Sequence, residues 1–285
     1  MPVHADVKDL LTVMDEVLSE EGKADGAASM TQEYKDAQAE WLRICQGWKH
    51  DYPVVLPKHM NGGTETEANV YAFAYEMSRR LNENQIVGCG EWICKCCVWT
   101  RKYCEKGTEI YLELRHRFDG LRLPASIGAC VADHSQDIIL ITGDGSIQMN
   151  LQELETVVSH RMPIKIFIIN NGGYHSIRQT QKNFFGEPLI GIGVDSGDLG
   201  FPSMEKLAWA YGFPYVAIHG NKELGEKVEE TLAMDGPVIC EVFVTLDQNF
   251  EPKSAAKRLP DGTLVSPPLE DLSPSCRTRR WTVSC

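Results

Sequence analysis

Two apolar runs in the second half of the chain constrain its fold more than any other feature. "DIILIT" (137–142) and "IKIFIIN" (164–170) show almost no polar alternation, which is typical of strands that are buried on both faces. The segment between them, "LQELETVVSH" (151–160), has the apolar spacing of a helix. Buried strands separated by helices predict an α/β fold, with a mostly parallel sheet and helices on both of its faces.

The same alternation continues on both sides of these runs. Further strands are predicted at "QIV" (85–87), "YVAI" (215–218) and "PVICEVFV" (237–244), and further helices at 123–132, 203–212 and 222–233. The first helix of this region is expected to begin at Thr64, because Thr64 and Glu67 have the spacing of a capping box.

With 285 residues, the chain is longer than one average domain. Residues 1–25 contain one short amphipathic helix that ends at Gly22, and they are interpreted as the remnant of another domain. Residues 26–61 are predicted to be a linker with one amphipathic stretch. The main domain is placed at 62–250, and residues 251–285 are predicted to be an irregular, Pro-rich tail.

Charge and hydropathy exclude several partners. The net charge of −12 argues against a nucleic-acid partner, since such binding depends on clustered Lys and Arg. The first residues, "MPVHADVKDLL", lack the pattern of a signal peptide. The apolar runs fall far short of the roughly 20 residues that a membrane helix needs. We therefore expect a cytoplasmic protein with no membrane partner.

Polar residues and glycines follow two of the predicted strands. Gly143, Asp144, Gly145 and Ser146 come directly after the first, and "NNGGY", which begins at Asn170, ends the second. The residues between these two motifs are enough for one crossover helix, and such crossovers are right-handed. Asp144 and Asn171 should therefore lie side by side at the carboxyl edge of the sheet, where open α/β sheets bind ligands.

These residue types suit a metal-bridged diphosphate. The Asp144 carboxylate, the Asn171 amide oxygen and the backbone carbonyl of Gly173 are oxygen ligands of the kind that Mg²⁺ takes. Gly145 would let a phosphate approach the backbone, and Ser146 and the N-terminus of the next helix would offer donors to it. Each motif alone is more often a simple tight turn. The pair at this spacing favours a site.

The stretch "GDGSIQMNLQELETVVSHRMPIKIFIINNGGY" resembles the diphosphate-binding motif of thiamine-diphosphate enzymes. The wider segment 62–250 resembles the cofactor-diphosphate (PP) domain of the acetolactate-synthase-like group, and residues 1–25 resemble the end of that group's central domain. The resemblance implies thiamine diphosphate and Mg²⁺ as cofactors. It assigns Asp144, Asn171 and Gly173 to the metal, and it places the following residues at the cofactor: Gly143, Asp144, Gly145, Ser146, Asn171, Gly173 and Tyr174.

The resemblance also implies an activity, that of a lyase or transferase that decarboxylates and ligates a 2-oxo acid. In the family a Glu on a separate pyrimidine-binding domain activates the cofactor, so we expect a homo-oligomer or a second chain that carries this domain. The chain alone is expected to be inactive, and no catalytic residue is assigned; His175 is more simply a bystander. Acetolactate synthesis itself is doubtful, because Thr180 and Ser176 replace the Trp and Met of those enzymes. An alternative of another class is a non-catalytic α/β module that binds a nucleotide or a protein partner.

The cysteine-rich stretch "EWICKCCVWTRKYC" (91–104) does not follow the family pattern. A zinc site is one interpretation, although the adjacent Cys96 and Cys97 lack a second C-x₂-C unit. A disulfide is disfavoured in the cytosol. The preferred hypothesis is a frameshift over 91–122, because codons can be chosen so that another frame gives a family-like sequence. Residues 275–285 allow the same explanation. We expect 91–122 to be poorly packed.

Overall fold

The computed structural model of the protein describes residues 6–23, 32–51, 53–89, 109–112, 119–133, 136–246, 248 and 257–265. It divides into two compact units, residues 1–53 and 54–285. No described helix combines the length and the apolar content that a membrane crossing requires.

The first unit contains two helices, α1 (Val7–Lys23) and α2 (Gln32–Asp51). Asp6 caps the first turn of α1, since its Oδ1 accepts a hydrogen bond from the Lys8 N–H at 2.8 Å. On α2, Trp41 and Trp48 pack edge to face, with ring centroids 5.6 Å apart. Much of the segment predicted as a linker is therefore a helix of 20 residues. The interpretation of residues 1–25 as a domain remnant stays a prediction.

The second unit is built on a parallel sheet, as predicted. The sheet has six strands in the order β2-β1-β3-β4-β6-β5, and every pair of neighbours is parallel. The strands are β1 (Ile86–Cys89), β2 (Glu109–Leu112), β3 (Ile138–Gly143), β4 (Ile164–Asn170), β5 (Tyr215–Ile218) and β6 (Val238–Phe243).

Helices cover both faces of this sheet, which confirms the α/β prediction. They are α3 (Pro57–Met60), α4 (Val70–Ser78), α5 (Arg122–Ala132), α6 (Asp144–Ile147), α7 (Glu153–Ser159), α8 (His175–Phe184), α9 (Met204–Tyr211) and α10 (Leu224–Ala233). Single 3₁₀ turns lie at Gln148–Asn150 and Asn221–Glu223.

Each face of the sheet has its own hydrophobic core. Phe167 and Ile169 of β4 pack into the core that α4 and α10 cover, whereas Ile166 and Ile168 pack into the core under α5, α7 and α9. Successive side chains of a strand point to opposite faces, so a strand buried on both faces is apolar at nearly every position; Lys165 of β4 is an exception. This explains the two runs that fixed the fold class.

Helix α4 begins six residues later than the capping-box spacing suggested. The Thr64 N–H donates to the backbone oxygen of Glu67, and Ala68 then pairs in parallel with Val244. The chain is extended through this bridge, so no helix can start before it. The N-cap is Asn69, whose side chain accepts hydrogen bonds from the backbone N–H groups of Tyr71 and Ala72, and the prediction of Thr64 was wrong.

Parts of the two segments of unusual sequence are described. Within 91–122, Glu109–Leu112 forms the edge strand β2, paired with β1, and the Arg122 side chain is buried at the start of α5. For Arg122 the expectation of poor packing was wrong. The cysteine cluster 94–104 and residues 275–285 lie outside the described residues. In the tail, β7 (Lys257–Arg258) and β8 (Leu264–Val265) form a short antiparallel pair.

Candidate functional site

The ends of β3 and β4 bring the two motifs together at the carboxyl edge of the sheet. These strands are direct neighbours, with Gly143 opposite Ile169, so the residues that follow each strand meet. Asp144 is the contact point, because its Oδ2 accepts a hydrogen bond from the Gly173 N–H at 2.9 Å. The carboxylate and the "NNGG" turn thus form one cluster.

Asp144 is a buried carboxylate, with 1% of its surface exposed. Its Oδ1 accepts a second hydrogen bond, from the Gly145 N–H at 2.8 Å. Burial raises the pKa of Asp144 to about 7, although the two hydrogen bonds and the charge of Arg178 lower it and the Glu241 carboxylate raises it further. A buried carboxylate in this state gains from a bound cation, which removes the cost of its charge.

Asn171, in the turn that contacts this carboxylate through Gly173, has an unsatisfied side-chain oxygen. The side chain is 5% exposed, and its Oδ1 accepts no hydrogen bond from any of the described residues. A buried acceptor without a donor costs about 1–3 kcal/mol, and a cation at this oxygen would remove that cost. Carboxylate and amide oxygens are ligands that Mg²⁺ accepts. The residues therefore fit a magnesium ion.

Asn170 has a different task from Asn171. It is the last residue of β4, and its Oδ1 accepts a hydrogen bond from the Gly172 N–H at 3.0 Å. Its Nδ2 donates to Glu241 at 2.6 Å, and Glu241 also accepts a hydrogen bond from the Tyr215 hydroxyl at 2.5 Å. Asn170 thus shapes the turn that carries Asn171.

The turn itself requires glycine. Gly172 and Gly173 have φ values of 65° and 137°, which side chains rarely tolerate. A Cβ on Gly173 would lie 2.1 Å from the backbone oxygen of Ile192, because the turn pairs with the loop that contains Gly193. The close approach of these two loops places the Gly173 N–H against Asp144.

Gly145 is required for a reason that the sequence did not reveal. A Cβ there would lie 2.7 Å from the Tyr174 ring, so the glycine makes room for that ring. Tyr174 also packs edge to face on Phe201, with centroids 6.0 Å apart. At Gly143, by contrast, an added Cβ would meet open space.

Two groups were predicted to donate hydrogen bonds to an anion, the Ser146 hydroxyl and the N-terminus of the next helix. The Ser146 hydroxyl donates to Asp119 Oδ1 at 2.7 Å, so its proton is already engaged. The helix after β3 is α6, which has only four residues and begins at Asp144 itself. The anion-binding role of the N–H groups at this N-terminus stays a prediction.

Three further residues of the site were not identified from the sequence. Arg178 and Asp195 form an ion pair beside Asn171, and Glu241 lies next to Asn170. A charged residue in an otherwise apolar strand, as in "VICEVF", was a usable signal for Glu241. His175 is buried at the start of α8, whereas Ser176 and Thr180 are exposed on that helix.

Comparisons with known proteins agree with this geometry. The chain is similar to the acetolactate synthase large subunit of Cyanidium caldarium, with 28% identity over 266 residues, which are 90% of this chain and 41% of that protein. It is also similar to the large subunit of Porphyra purpurea, with 27% identity over 223 residues (78% and 36%). The acetolactate synthase of Arthrospira platensis is 33% identical over 136 residues (48% and 23%). The chain thus spans less than half the length of these relatives.

A family model matches residues 93–242, more than half of the chain, and it describes the C-terminal thiamine pyrophosphate-binding domain of thiamine pyrophosphate enzymes. The match includes most of segment 91–122, whose frameshift stays a prediction. The predicted cofactors, thiamine diphosphate with Mg²⁺, are those of this family. With the parallel sheet and the Asp144–Asn171 cluster, the match establishes that the chain belongs to the thiamine pyrophosphate enzymes of the acetolactate-synthase-like kind.

Proposed function

We propose that this chain holds the diphosphate end of thiamine diphosphate through Mg²⁺ at the carboxyl edge of its sheet. The observation that carries the proposal is the orphaned, buried Asn171 Oδ1 in the same turn whose Gly173 N–H donates to the buried Asp144 carboxylate. The proposed metal ligands are Asp144, Asn171 and the Gly173 carbonyl. The residues proposed around the diphosphate are Gly143, Gly145, Ser146 and Tyr174.

The residues have distinct tasks in this proposal. Asp144 would supply one negative charge to Mg²⁺, and Asn171 would add a neutral oxygen ligand. The rest of the positive charge of the ion would then be available to attract the phosphate oxygens. Ser146 becomes a donor to the diphosphate once its hydroxyl turns away from Asp119. Tyr174 closes the cluster, since its ring covers the backbone at Gly145.

The proposed reaction is decarboxylation and carboligation of a 2-oxo acid, in a protein similar to acetolactate synthase. When bound, thiamine diphosphate supplies the electron sink for cleavage beside the carbonyl, and the protein orients it. Support for this reaction comes from the similarity of the chain to acetolactate synthases. A homo-oligomer, or a second chain with the pyrimidine-binding domain, is proposed to supply the group that activates the cofactor.

Thiamine diphosphate binding tests the proposal directly. Calorimetric titration with and without Mg²⁺ should show saturable binding only when the metal is present. Asp144→Ala should abolish it, whereas Glu226→Ala, which removes an exposed carboxylate on α10, should leave it unchanged. Metal-independent binding of ADP, with no response to thiamine diphosphate, would instead support the non-catalytic nucleotide-binding module.

A further inference from the structure

Arg178 is a fully buried charged group near the site. The side chain lies on α8 and is 1% exposed. It forms a two-pronged ion pair with Asp195, from Nε to Oδ2 at 2.8 Å and from Nη2 to Oδ1 at 3.0 Å. A fully desolvated guanidinium that used only this partner would still have donors to satisfy.

The remaining donors of Arg178 reach the turn that carries the proposed metal ligand. Nη1 donates to the backbone oxygen of Asn171 at 3.2 Å, and Nη2 donates to that of Gly172 at 3.1 Å. Both carbonyls are thereby held towards α8. Because Asn171 Oδ1 has no donor of its own among the described residues, its direction depends on the backbone that Arg178 holds.

Asp195 fixes the other side of Arg178, because its loop is tied to the same turn. The Tyr174 N–H donates to Ile192 at 2.7 Å, and the Val194 N–H donates to Gly172 at 3.1 Å. A Cβ on Gly193 would lie 3.1 Å from Arg178 Nη2 and 2.0 Å from the Gly172 oxygen, so the approach of the loop depends on this glycine.

We infer that Arg178 and Asp195 form a positioning pair that aims the Asn171 side chain at the metal. The inference rests on the proposed function and deepens it, since neither residue contacts the proposed metal directly. They affect metal binding only through the orientation of Asn171. A lysine could not replace Arg178, because an ammonium group is a point charge and lacks the planar fork that spans a carboxylate and two carbonyls.

The test is a double-mutant cycle in the full chain, in which the Mn²⁺ affinities of Arg178 and Asn171 variants are compared. Mn²⁺ serves as the probe, with saturating thiamine diphosphate, and free Mn²⁺ is measured by electron paramagnetic resonance. Arg178→Gln should weaken Mn²⁺ binding 10–100-fold, the usual effect of losing a partner that orients a metal ligand. Arg178→Lys should fail to restore it. In an Asn171→Ala background, Arg178→Gln should change the affinity less than twofold.

Arg80→Gln is the matched control, because Arg80 also pairs with a carboxylate, Glu76, but lies after α4 and away from the cluster. Each variant is compared with this control by circular dichroism and thermal midpoint. If Asn171→Ala abolishes measurable Mn²⁺ binding, the test rests on Arg178→Gln alone. A tenfold loss of Mn²⁺ affinity, with a thermal midpoint close to that of Arg80→Gln, would then support the positioning role. Asp195→Asn, which keeps the side-chain shape, should also weaken binding if Arg178→Gln does not fold.

The outcomes separate the two proposals. If the wild-type chain does not bind Mn²⁺, or binds it equally well after Asp144→Ala, the proposed function fails and the inference fails with it. If Asp144→Ala abolishes binding but Arg178→Gln stays within twofold of wild type, only the positioning pair is refuted. Equal losses with and without Asn171 would also refute it, since a general structural role acts equally in both backgrounds.

Discussion

Asp144→Asn should make the metal-free protein more stable at alkaline pH, although it removes a proposed metal ligand. Burial raises the pKa of Asp144 from an ordinary 3.8 to about 7. Between these values the folded protein keeps a proton that the unfolded chain has lost, so the raised pKa makes stability fall as pH rises. One pKa unit corresponds to about 1.36 kcal/mol, so about three units cost about 4 kcal/mol above pH 7.

An asparagine cannot ionise, so the variant escapes this cost. It incurs another, because its amide nitrogen would face one of the two backbone N–H groups that Asp144 accepts from, those of Gly145 and Gly173. Such a mismatch costs about 1–3 kcal/mol. At pH 8 we therefore expect a net gain of about 1–3 kcal/mol. At pH 5, where the buried carboxyl is still protonated, the gain should be about 2–3 kcal/mol smaller.

The measurement is urea unfolding of the full chain in chelator at pH 5 and pH 8, for wild type and variant. Glu226→Gln, at an exposed site, controls for the general loss of negative charge. A stability difference between Asp144→Asn and wild type that does not change with pH would refute the reasoning. In that case the carboxylate would not be held in a costly ionised state, and relief by a cation would not explain metal binding.

Three other changes test the turn, the buried network and the activity. Gly173→Ala should unfold the turn and lower the thermal midpoint, since its Cβ would overlap Ile192; Gly128→Ala on α5, where the space is open, should instead stabilise by up to about 1 kcal/mol. Tyr215→Phe should destabilise by about 1–3 kcal/mol in urea unfolding, because the buried Glu241 loses a donor; a neutral result would mean that water replaces the hydroxyl. The chain alone should release no carbon dioxide from pyruvate above the blank, whereas turnover of about 1 s⁻¹ or more, within the usual range of enzymes, would show that no second domain is needed.

The sequence predicted the sheet because its strands carry their own signal. β4 and β5 have the predicted ends, 164–170 and 215–218, since each is a mostly apolar run that directly follows a proline, Pro163 or Pro214. The neighbourhood of Asp144 and Asn171 followed from one crossover helix between two parallel strands, whose carboxyl ends lie at the same edge of the sheet. Such features depend on short stretches of chain, which is why pattern reasoning reaches them.

Features that depend on distant contacts could not be predicted. The start of α4 was missed because Ala68 is drawn into a bridge with Val244. The ion pair of Arg178 joins a helix to a loop whose course no local pattern specifies. Gly145 was predicted to be a place of close approach to the backbone. The group that approaches it in the structure is the Tyr174 ring, whose position no local pattern specifies.

The bridge between Ala68 and Val244 also bears on how the protein is made. It joins the beginning of the second unit to the end of the last strand of its main sheet, and Asn69 adds a hydrogen bond from its N–H to Asn221 Oδ1. Ribosomes add about 5–20 residues per second, so Ala68 and Val244 are synthesised on the order of ten seconds apart. During that interval α4 can already contact α3, but the core that it covers is incomplete until Val238, Cys240 and Val242 of β6 are added. The sheet is therefore completed late in biosynthesis.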